Sequence, residues 1–306
     1  MTKMHVDELD IDESLVRRLL EGQFPEWRAL PIEPVPSAGT DNAMYRLGDD
    51  MAVRLPRYAA ATLGIDKEHE WLPKLAPHLP VDVPLPLAKG APGEGYPWHW
   101  SVCRWLEGET VTRDRVADPR DMATDVARFI AALHRIDSAG GPPPGPHNFG
   151  RGVPLAERDA ATRTAIASLQ ETIDSGAALA AWEAALHAPA WDGPPVWIHG
   201  DLTPGNLLAR RGRLSGVLDF GGLAVGDPAC DLIVAWNLLS ADTRKVLRAA
   251  LSVDDATWER GRGWALSVAV IYIPYYASTS PAGVADARRV VDAVLADREI
   301  ASSARM

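Results

Sequence analysis

The feature that most constrains this chain is a polar loop in its C-terminal half. The stretch VWIHGDLTPGNLLA, Val196 to Ala209, begins and ends with apolar runs that have the length of short buried strands. His199, Asp201 and Asn206 lie between these runs, on a segment that a Pro-Gly pair interrupts. An imidazole, a carboxylate and an amide held between two buried strands indicate a loop that carries chemistry.

A second short motif extends the pattern. Asp219, in LDFGG, follows Asn206 by 13 residues at the end of another apolar run. Amide and carboxylate oxygens are hard ligands that suit Mg²⁺ held against phosphates, and a carboxylate that the metal does not need can accept a proton from a hydroxyl. A lone His-x-Asp also fits a buried capped turn or half of a metal site. The order of base, amide and second carboxylate predicts a phosphoryl-transfer site.

These motifs resemble the catalytic segment of a known family. HGDLTPGN followed by LDFGG is similar to that segment of the aminoglycoside phosphotransferases, small-molecule kinases related in fold to protein kinases. The resemblance covers roughly residues 37–239. It implies an α+β, two-lobed, protein-kinase-like fold with a small strand-rich N-terminal lobe that binds nucleotide, residues 1–105. The larger, mainly helical lobe, residues 106–306, would hold the catalytic and acceptor sites.

The resemblance also implies roles for individual residues. Asp201 would be the catalytic base that orients the acceptor hydroxyl, and Asn206 and Asp219 would bind Mg²⁺. Three further residues would support the loop: His199, Asp227 and Asp231. Asp231, at the start of a helix, resembles the carboxylate that anchors the catalytic loop through backbone N–H groups.

The N-terminal half would supply the nucleotide side. The segment SAGTDN lies where kinases cover the phosphates, but it lacks GxGxxG, so alone it is a weak signal. Arg54 stands where kinases place the lysine that contacts the phosphates. Arginine keeps the charge but differs in length and geometry. Glu68 would be its helical partner, with Glu70 as the less favoured choice. The full set of implied nucleotide-binding residues is Ser37, Gly39, Thr40, Asn42, Arg54, Glu68, Arg104 and Leu106.

Local patterns predict the surrounding elements. Residues 43–47 and 51–55 form a hairpin by their alternation, and the prolines of VDVPLPLAKG place that strand at a sheet edge. Helices are expected near 11–24, with a stop at Gly22, near 60–75, with its last turn disturbed by Pro73, and at 121–137. The Pro/Gly-rich segment 140–152 is expected to be only a connection, and His134 to be a helix-terminal residue without catalytic work.

Composition bounds the partners. The formal net charge of −10 disfavours nucleic acid, which usually selects a basic surplus. The two cysteines, Cys103 and Cys230, support neither a disulfide framework nor a zinc site, and fit a reducing compartment. With neither signal peptide nor bilayer-spanning run in the sequence, we expect a soluble cytoplasmic protein, monomeric or homodimeric, without membrane partners.

The acceptor is the open part of this interpretation. The family resemblance implies an aminoglycoside-like antibiotic as the leading expectation, and an acidic chain that can attract a polycation supports it. A macrolide, homoserine or choline is the alternative within the same chemistry, with ATP or GTP as the co-substrate. A catalytically inactive nucleotide-binding pseudokinase is the alternative from another class. The stretch WALSVAVIYIPYY is expected to lie in the core, although Tyr272, Tyr275 or Tyr276 can face an acceptor.

Overall fold

The N-terminal part is built on an antiparallel sheet in the computed structural model, which describes residues 8–36 and 41–303, with side chains as far as residue 297. The five strands lie in the order β1-β2-β3-β5-β4. Their bounds are β1 Ile32–Pro34, β2 Asn42–Leu47, β3 Met51–Pro56, β4 Pro86–Gly90 and β5 Trp100–Arg104. Helix α1 (Glu13–Gln23) precedes the sheet, and α2 (Leu63–Leu75) follows β3.

The predicted hairpin and edge strand are confirmed. β2 pairs with β3 in antiparallel register from Asn42 opposite Pro56 to Leu47 opposite Met51. Strand β4 lies at the sheet edge, with an irregularity between Pro86 and Ala88, because proline lacks the N–H that an inner strand needs. This sheet and α1 enclose a hydrophobic cluster of their own.

Short paired strands in the C-terminal part frame the polar loop. They are β6 Glu109–Thr110, β7 Val196–Ile198, β8 Leu207–Arg210, β9 Arg213–Val217 and β10 Ala224–Gly226. Strand β7 pairs with β10, and β8 pairs with β9. The loop between β7 and β8 therefore lies beside the turn between β9 and β10, and this topology brings Asp201, Asn206 and Asp219 to one place.

Helices make up most of the remaining C-terminal part. They are α3 Pro119–Arg135, α4 Asp159–Ser168, α5 Ser175–His187, α6 Ile233–Asn237, α7 Ala241–Leu251, α8 Asp255–Tyr275 and α9 Pro281–Ser303. In α3 every predicted apolar position is buried: Met122, Val126, Phe129, Ile130 and Leu133. The strand-rich first part and the mainly helical second part confirm the predicted two-lobed α+β fold.

Three local expectations need correction. Helix α1 passes through Gly22 to Gln23, because the capping bond is made by Phe24, whose N–H donates to the Leu20 carbonyl. Helix α2 continues past Pro73 to Leu75. The Pro/Gly-rich segment is more than a connection, since the Val225 N–H donates to the Pro142 carbonyl and the Asp227 N–H to the Gly152 carbonyl.

In the described part of the chain, no helix combines the length and apolar character needed to cross a membrane.

Candidate active site

Asp201 sits on a loop whose backbone conformation is tightly fixed. Gly200 has a φ of +80°, and a Cβ there would lie 2.6 Å from the Gly222 carbonyl oxygen, so the position needs glycine. The Asp201 carbonyl accepts from the Thr203 N–H and from the Asn206 side-chain amide, each at 2.9 Å. The same amide lies 3.2 Å from Asp201 Oδ2. The carboxylate keeps 37% of its side-chain surface open to solvent, so an acceptor can reach it.

His199 is fully buried beneath this loop. Its Nε2 lies 2.9 Å from the Leu218 carbonyl, and its Nδ1 accepts from the Asp201 N–H at 3.2 Å. These partners require a neutral ring with the proton on Nε2, a tautomer that we assign from the hydrogen bonds. Both nitrogens are used in holding the loop to the strand that leads to Asp219, so neither serves for proton transfer.

Asp231 lies directly under the loop and is also fully buried. Its carboxylate accepts from the N–H groups of His199, at 3.1 Å, and Gly200, at 2.8 Å. His134, at the end of α3, lies 3.1 Å from Asp231 Oδ2. His134 is thus helix-terminal as expected, but it also supports the anchor. Charge-assisted bonds to two successive N–H groups orient the backbone that presents Asp201.

Asp227 has a different kind of partner. It forms a two-bond ion pair with Arg260 of α8, at 2.8 and 3.2 Å, and both side chains are more than 90% buried. Its Oδ1 also accepts from the Ala229 N–H at 2.9 Å. Asp227 therefore caps the short turn that carries Asp231, and its support of the loop is indirect.

Asn206 and Asp219 each carry a side-chain oxygen of a metal-ligand type, and their backbones meet where the Leu218 N–H donates to the Asn206 carbonyl at 2.8 Å. Because the Asn206 amide nitrogen is held by Asp201, its oxygen points away from that carboxylate. Asp219 has a left-handed backbone (φ 58°), and its Oδ1 accepts from the Gly221 N–H at 3.3 Å. Among the described residues, no three His, Cys, Asp or Glu side chains form a metal cage. The donor set instead fits a hard cation that keeps waters and phosphate oxygens as ligands, as Mg²⁺ does.

Arg54 connects the two lobes at this place. Its guanidinium lies 2.5 Å from Glu68 Oε2 and 3.4 Å from Asp219 Oδ1. With the Asn42 amide oriented so that its oxygen faces Arg54, that oxygen accepts two further bonds at 3.1 Å. Burial disfavours the charged guanidinium, but the carboxylates of Glu68 and Asp219 outweigh it and raise the pKa of Arg54.

The remaining predicted nucleotide residues are placed less closely together. The N–H of Arg104 donates to the Leu85 carbonyl and that of Trp105 to the Asp50 carbonyl, so neither N–H is free to bind a ligand. Cys103 is buried on β5, and burial raises the pKa of its thiol to about 12. Ser37, Gly39 and Thr40 lie outside the described residues.

A family model matches this chain over residues 32–264, and that family is described as the phosphotransferase enzyme family. The match spans three quarters of the sequence and includes both catalytic motifs. The chain belongs to this family. It is a phosphotransferase with a kinase-like fold.

Solved structures of similar fold agree with this assignment. The GDP and kanamycin complex of APH(2")-IIIa matches with a TM-score of 0.72 at 19% identity, over 93% of this chain and 98% of that one. The streptomycin-ATP ternary complex of APH(2")-IIa has a TM-score of 0.61 at 19% identity, over 92% and 99%. Macrolide 2'-phosphotransferase MphH from Brachybacterium faecium has a TM-score of 0.61 at 24% identity, over 91% and 98%. At these identities the likeness shows the fold alone, and a comparison with curated protein sequences finds no significant match.

Two basic residues that the sequence analysis of this phosphotransferase missed also reach the site. Arg151, from the Pro/Gly-rich segment, lies 3.6 Å from Asp201 Oδ1. Burial raises the pKa of the Asp201 carboxyl, the charge of Arg151 opposes that shift, and the Asp219 carboxylate adds to it. Lys67 of α2 donates to the Gly221 carbonyl at 2.7 Å and lies 3.1 Å from His147 Nδ1. Neither belongs to a contiguous motif, so only tertiary packing identifies them.

The end of α8 in this phosphotransferase carries a cluster of aromatic rings. The first half of the Trp/Tyr-rich stretch is buried in α8, in line with the expected core role. Tyr275, at the end of α8, is 61% exposed. Its ring lies 4.6 Å from that of Tyr276, which lies 4.3 Å from that of Tyr272. The stretch therefore divides into a core segment and an exposed aromatic end.

The lowered pKa of Lys67 should make the stability of the phosphotransferase depend on pH. Burial lowers its pKa to about 8 from an ordinary 10.5, with Glu68 and Asp219 opposing the shift. Between these values the unfolded chain binds more protons than the folded one, so the free energy of unfolding rises with pH across this window. The slope from this group is at most about 1.4 kcal/mol per pH unit.

We expect Lys67→Met to remove this rise, and Lys245→Met, at an exposed pair with Asp242, to keep it. The measurement is urea unfolding of the wild type and both variants at pH 7, 8, 9 and 10. Parallel curves for the wild type and Lys67→Met would show that Lys67 stays protonated throughout.

Proposed function

We propose that this phosphotransferase transfers the γ-phosphoryl group of ATP or GTP to a hydroxyl of a small molecule, with Mg²⁺ bound. The observation that carries the proposal is two neighbouring sets of contacts, which the bond from the Leu218 N–H to the Asn206 carbonyl holds side by side. Glu68 binds Arg54, and Arg54 reaches Asp219. On the adjacent loop, Asn206 binds Asp201. In this proposal Arg54 is the phosphate-binding cation, Asn206 and Asp219 are the metal-type ligands and Asp201 is the base, the set of groups that phosphoryl transfer requires.

Each residue has a distinct part in this reaction. Asp201 accepts the proton of the acceptor hydroxyl as its oxygen forms a bond to phosphorus, while the bond from phosphorus to the β,γ-bridging oxygen breaks. Arg54, oriented by Glu68 and Asn42, holds the phosphates of the nucleotide. Asn206 and Asp219 would hold Mg²⁺, which neutralises charge on the phosphates. Rate enhancement then comes mainly from positioning and charge neutralisation.

The acceptor class is tested by its product. An aminoglycoside-like acceptor is the leading candidate, since some structures of similar fold contain kanamycin or streptomycin, and a macrolide is the next, since another is a macrolide 2'-phosphotransferase. Homoserine and choline complete the panel. The experiment incubates the purified chain with ATP or GTP and each acceptor, then measures nucleoside diphosphate release and a mass increase of one phosphate. Failure of every acceptor with both nucleotides would contradict the proposal.

A pseudokinase is the alternative, and two features favour it: the arginine at position 54 and a phosphate-covering segment without GxGxxG. The base and both metal-type ligands argue against a pseudokinase, because a protein that has lost catalysis does not need to keep them. Tight nucleotide binding without any product would favour the pseudokinase. We include three further properties in this proposal: a cytoplasmic location, a monomeric or homodimeric state, and a boundary between the lobes at residues 105 and 106.

Arg54 gives a quantitative prediction for nucleotide use. We expect Arg54→Ala to raise the KM for nucleotide by about tenfold or more, because a hydrogen bond to a charged group contributes roughly 1.5–3 kcal/mol. Arg54→Lys keeps the charge and should show a smaller increase. Arg163→Ala, which removes an exposed pair on α4, is the control. Steady-state kinetics at varied nucleotide is the measurement, and an unchanged KM in Arg54→Ala would mean that another cation binds the phosphates.

A further inference from the structure

Arg151 is a mostly buried arginine whose guanidinium makes no hydrogen bond to any residue that the structure describes. Its side chain is 17% exposed, its Nη1 is buried without a partner, and its Nη2 lies 3.6 Å from Asp201 Oδ1, beyond hydrogen-bond distance. By contrast, the guanidinium of Arg260 makes four hydrogen bonds, to Asp227, Pro189 and Thr257. A buried donor without a partner destabilises the folded chain, so its presence needs an explanation.

We propose that Arg151 is a catalytic residue that donates to the oxygens of the phosphoryl group during its transfer. The inference rests on the proposed function, since it needs a phosphoryl group in front of Asp201. It assigns the unused donors of Arg151 to a group that is present only during the reaction.

Distance supports this role. A base lies about 2.6–3.2 Å from the hydroxyl oxygen that it deprotonates, and the reacting atoms approach to about 3–3.5 Å. The transferring phosphorus therefore lies within roughly 6–7 Å of the Asp201 carboxylate, by the sum of these two approaches. An Arg151 nitrogen lies 3.6 Å from that carboxylate, so it is within reach of a phosphoryl group that binds on the same side of Asp201.

Charge supports it as well. The carboxylates of Asp219 and Asp41 raise the pKa of the Asp201 carboxyl, and the positive charge of Arg151 lowers it. Arg54 is already engaged by Glu68, Asn42 and Asp219 on the nucleotide side. A transferring phosphoryl group adds negative charge to this acidic surrounding. A fixed guanidinium stabilises such charge in phosphoryl transfer.

Hydrogen bonds and close packing fix the backbone around Arg151. The buried Asn148 side-chain amide donates to the Arg151 carbonyl at 2.8 Å and to the Gly222 carbonyl at 3.3 Å. Gly152 has a φ of +87°, and a Cβ there would lie 2.3 Å from Ile198 Cδ1. The segment is thus hydrogen-bonded to the turn after Asp219 and packed against the strand before His199. Such preorganisation means that little reorganisation is needed when the charge develops.

The test compares Arg151→Met and Arg151→Lys with the wild type, using an acceptor found in the product screen. We expect Arg151→Met to lower kcat by about 10²- to 10³-fold, the loss typical of one donor to a developing charge. The KM values for nucleotide and acceptor should stay close to those of the wild type. Arg151→Lys should recover part of kcat, and added guanidinium should partly restore Arg151→Met. Arg163→Met is the matched control and should behave as the wild type.

A second readout does not depend on turnover. Nucleoside diphosphate with magnesium and aluminium fluoride, a mimic of the transferring phosphoryl group, should raise the melting temperature of the wild type above that with diphosphate alone. Arg151→Met should keep the diphosphate effect and lose the additional fluoride effect. The inference would be overturned if Arg151→Met kept both kcat and the fluoride effect. It would also be overturned if the variant changed only the KM for the acceptor, or if added guanidinium did not restore its kcat. A wild type without either product or fluoride effect would instead overturn the proposed function.

Discussion

Asp201→Asn is expected to lower kcat by about 10²- to 10⁴-fold, the contribution of a positioned general base. The change preserves shape. An asparagine oxygen at position 201 can still accept from the Asn206 amide, which now lies 3.2 Å from Asp201 Oδ2. The backbone bonds that hold the loop, from His199 and Gly200 to Asp231, do not involve the altered side chain. The loss should therefore come from the missing proton acceptor.

The measurements are kcat by nucleoside diphosphate release and nucleotide affinity by calorimetry. We expect the nucleotide affinity of Asp201→Asn to match that of the wild type, since the residues proposed to bind the nucleotide are unchanged. Asp242→Asn, at an exposed carboxylate on α7, is the matched control and should leave both quantities unchanged. Equal kcat for Asp201→Asn and the wild type would rule out Asp201 as the base.

The catalytic loop was predictable because its information is local. The apolar runs that flank Asp201 become β7 and β8, and the run before Asp219 becomes β9. Pairing of β7 with β10 and of β8 with β9 then brings the polar residues together. The position of Arg54 on β3 was predictable for the same reason, because the pattern of the hairpin formed by β2 and β3 is local.

The residues that sequence reasoning missed lie outside such patterns. Arg151 stands on a proline- and glycine-rich segment, where neither helical nor strand periodicity exists to show which side chain points inward. Its position depends on the Asn148 amide, which bonds a turn 74 residues away in the sequence. Lys67 reads as an ordinary helical lysine until Gly221 and His147 are packed against it. Contacts of this kind come from tertiary structure, and a single sequence does not encode them in any short motif.

Removing one member of the pair formed by Asp227 and Arg260 should destabilise the chain more than removing one member of the exposed pair formed by Asp242 and Lys245. Removing one member of a buried pair leaves an uncompensated charge, which costs about 3–5 kcal/mol. Asp227→Asn and Arg260→Met should each lower the free energy of unfolding by that amount in urea. Lys245→Met, at an exposed pair, should change it by about 0–1 kcal/mol. Losses of less than 1 kcal/mol for both buried variants would contradict this assignment.

The double variant Asp227→Asn, Arg260→Met separates the pair from its surroundings. Because it leaves neither charge unpaired, its loss should be smaller than the sum of the two single losses, and the difference is the coupling free energy of the pair. Arg260 also donates to the Pro189 carbonyl at 2.6 Å, so some loss should remain in the double variant. Asp227 caps the turn that bears Asp231, which holds the N–H groups of His199 and Gly200. We therefore expect kcat of the folded single variants to fall as well, since the same ion pair that stabilises α8 against the loop also fixes the position of Asp201.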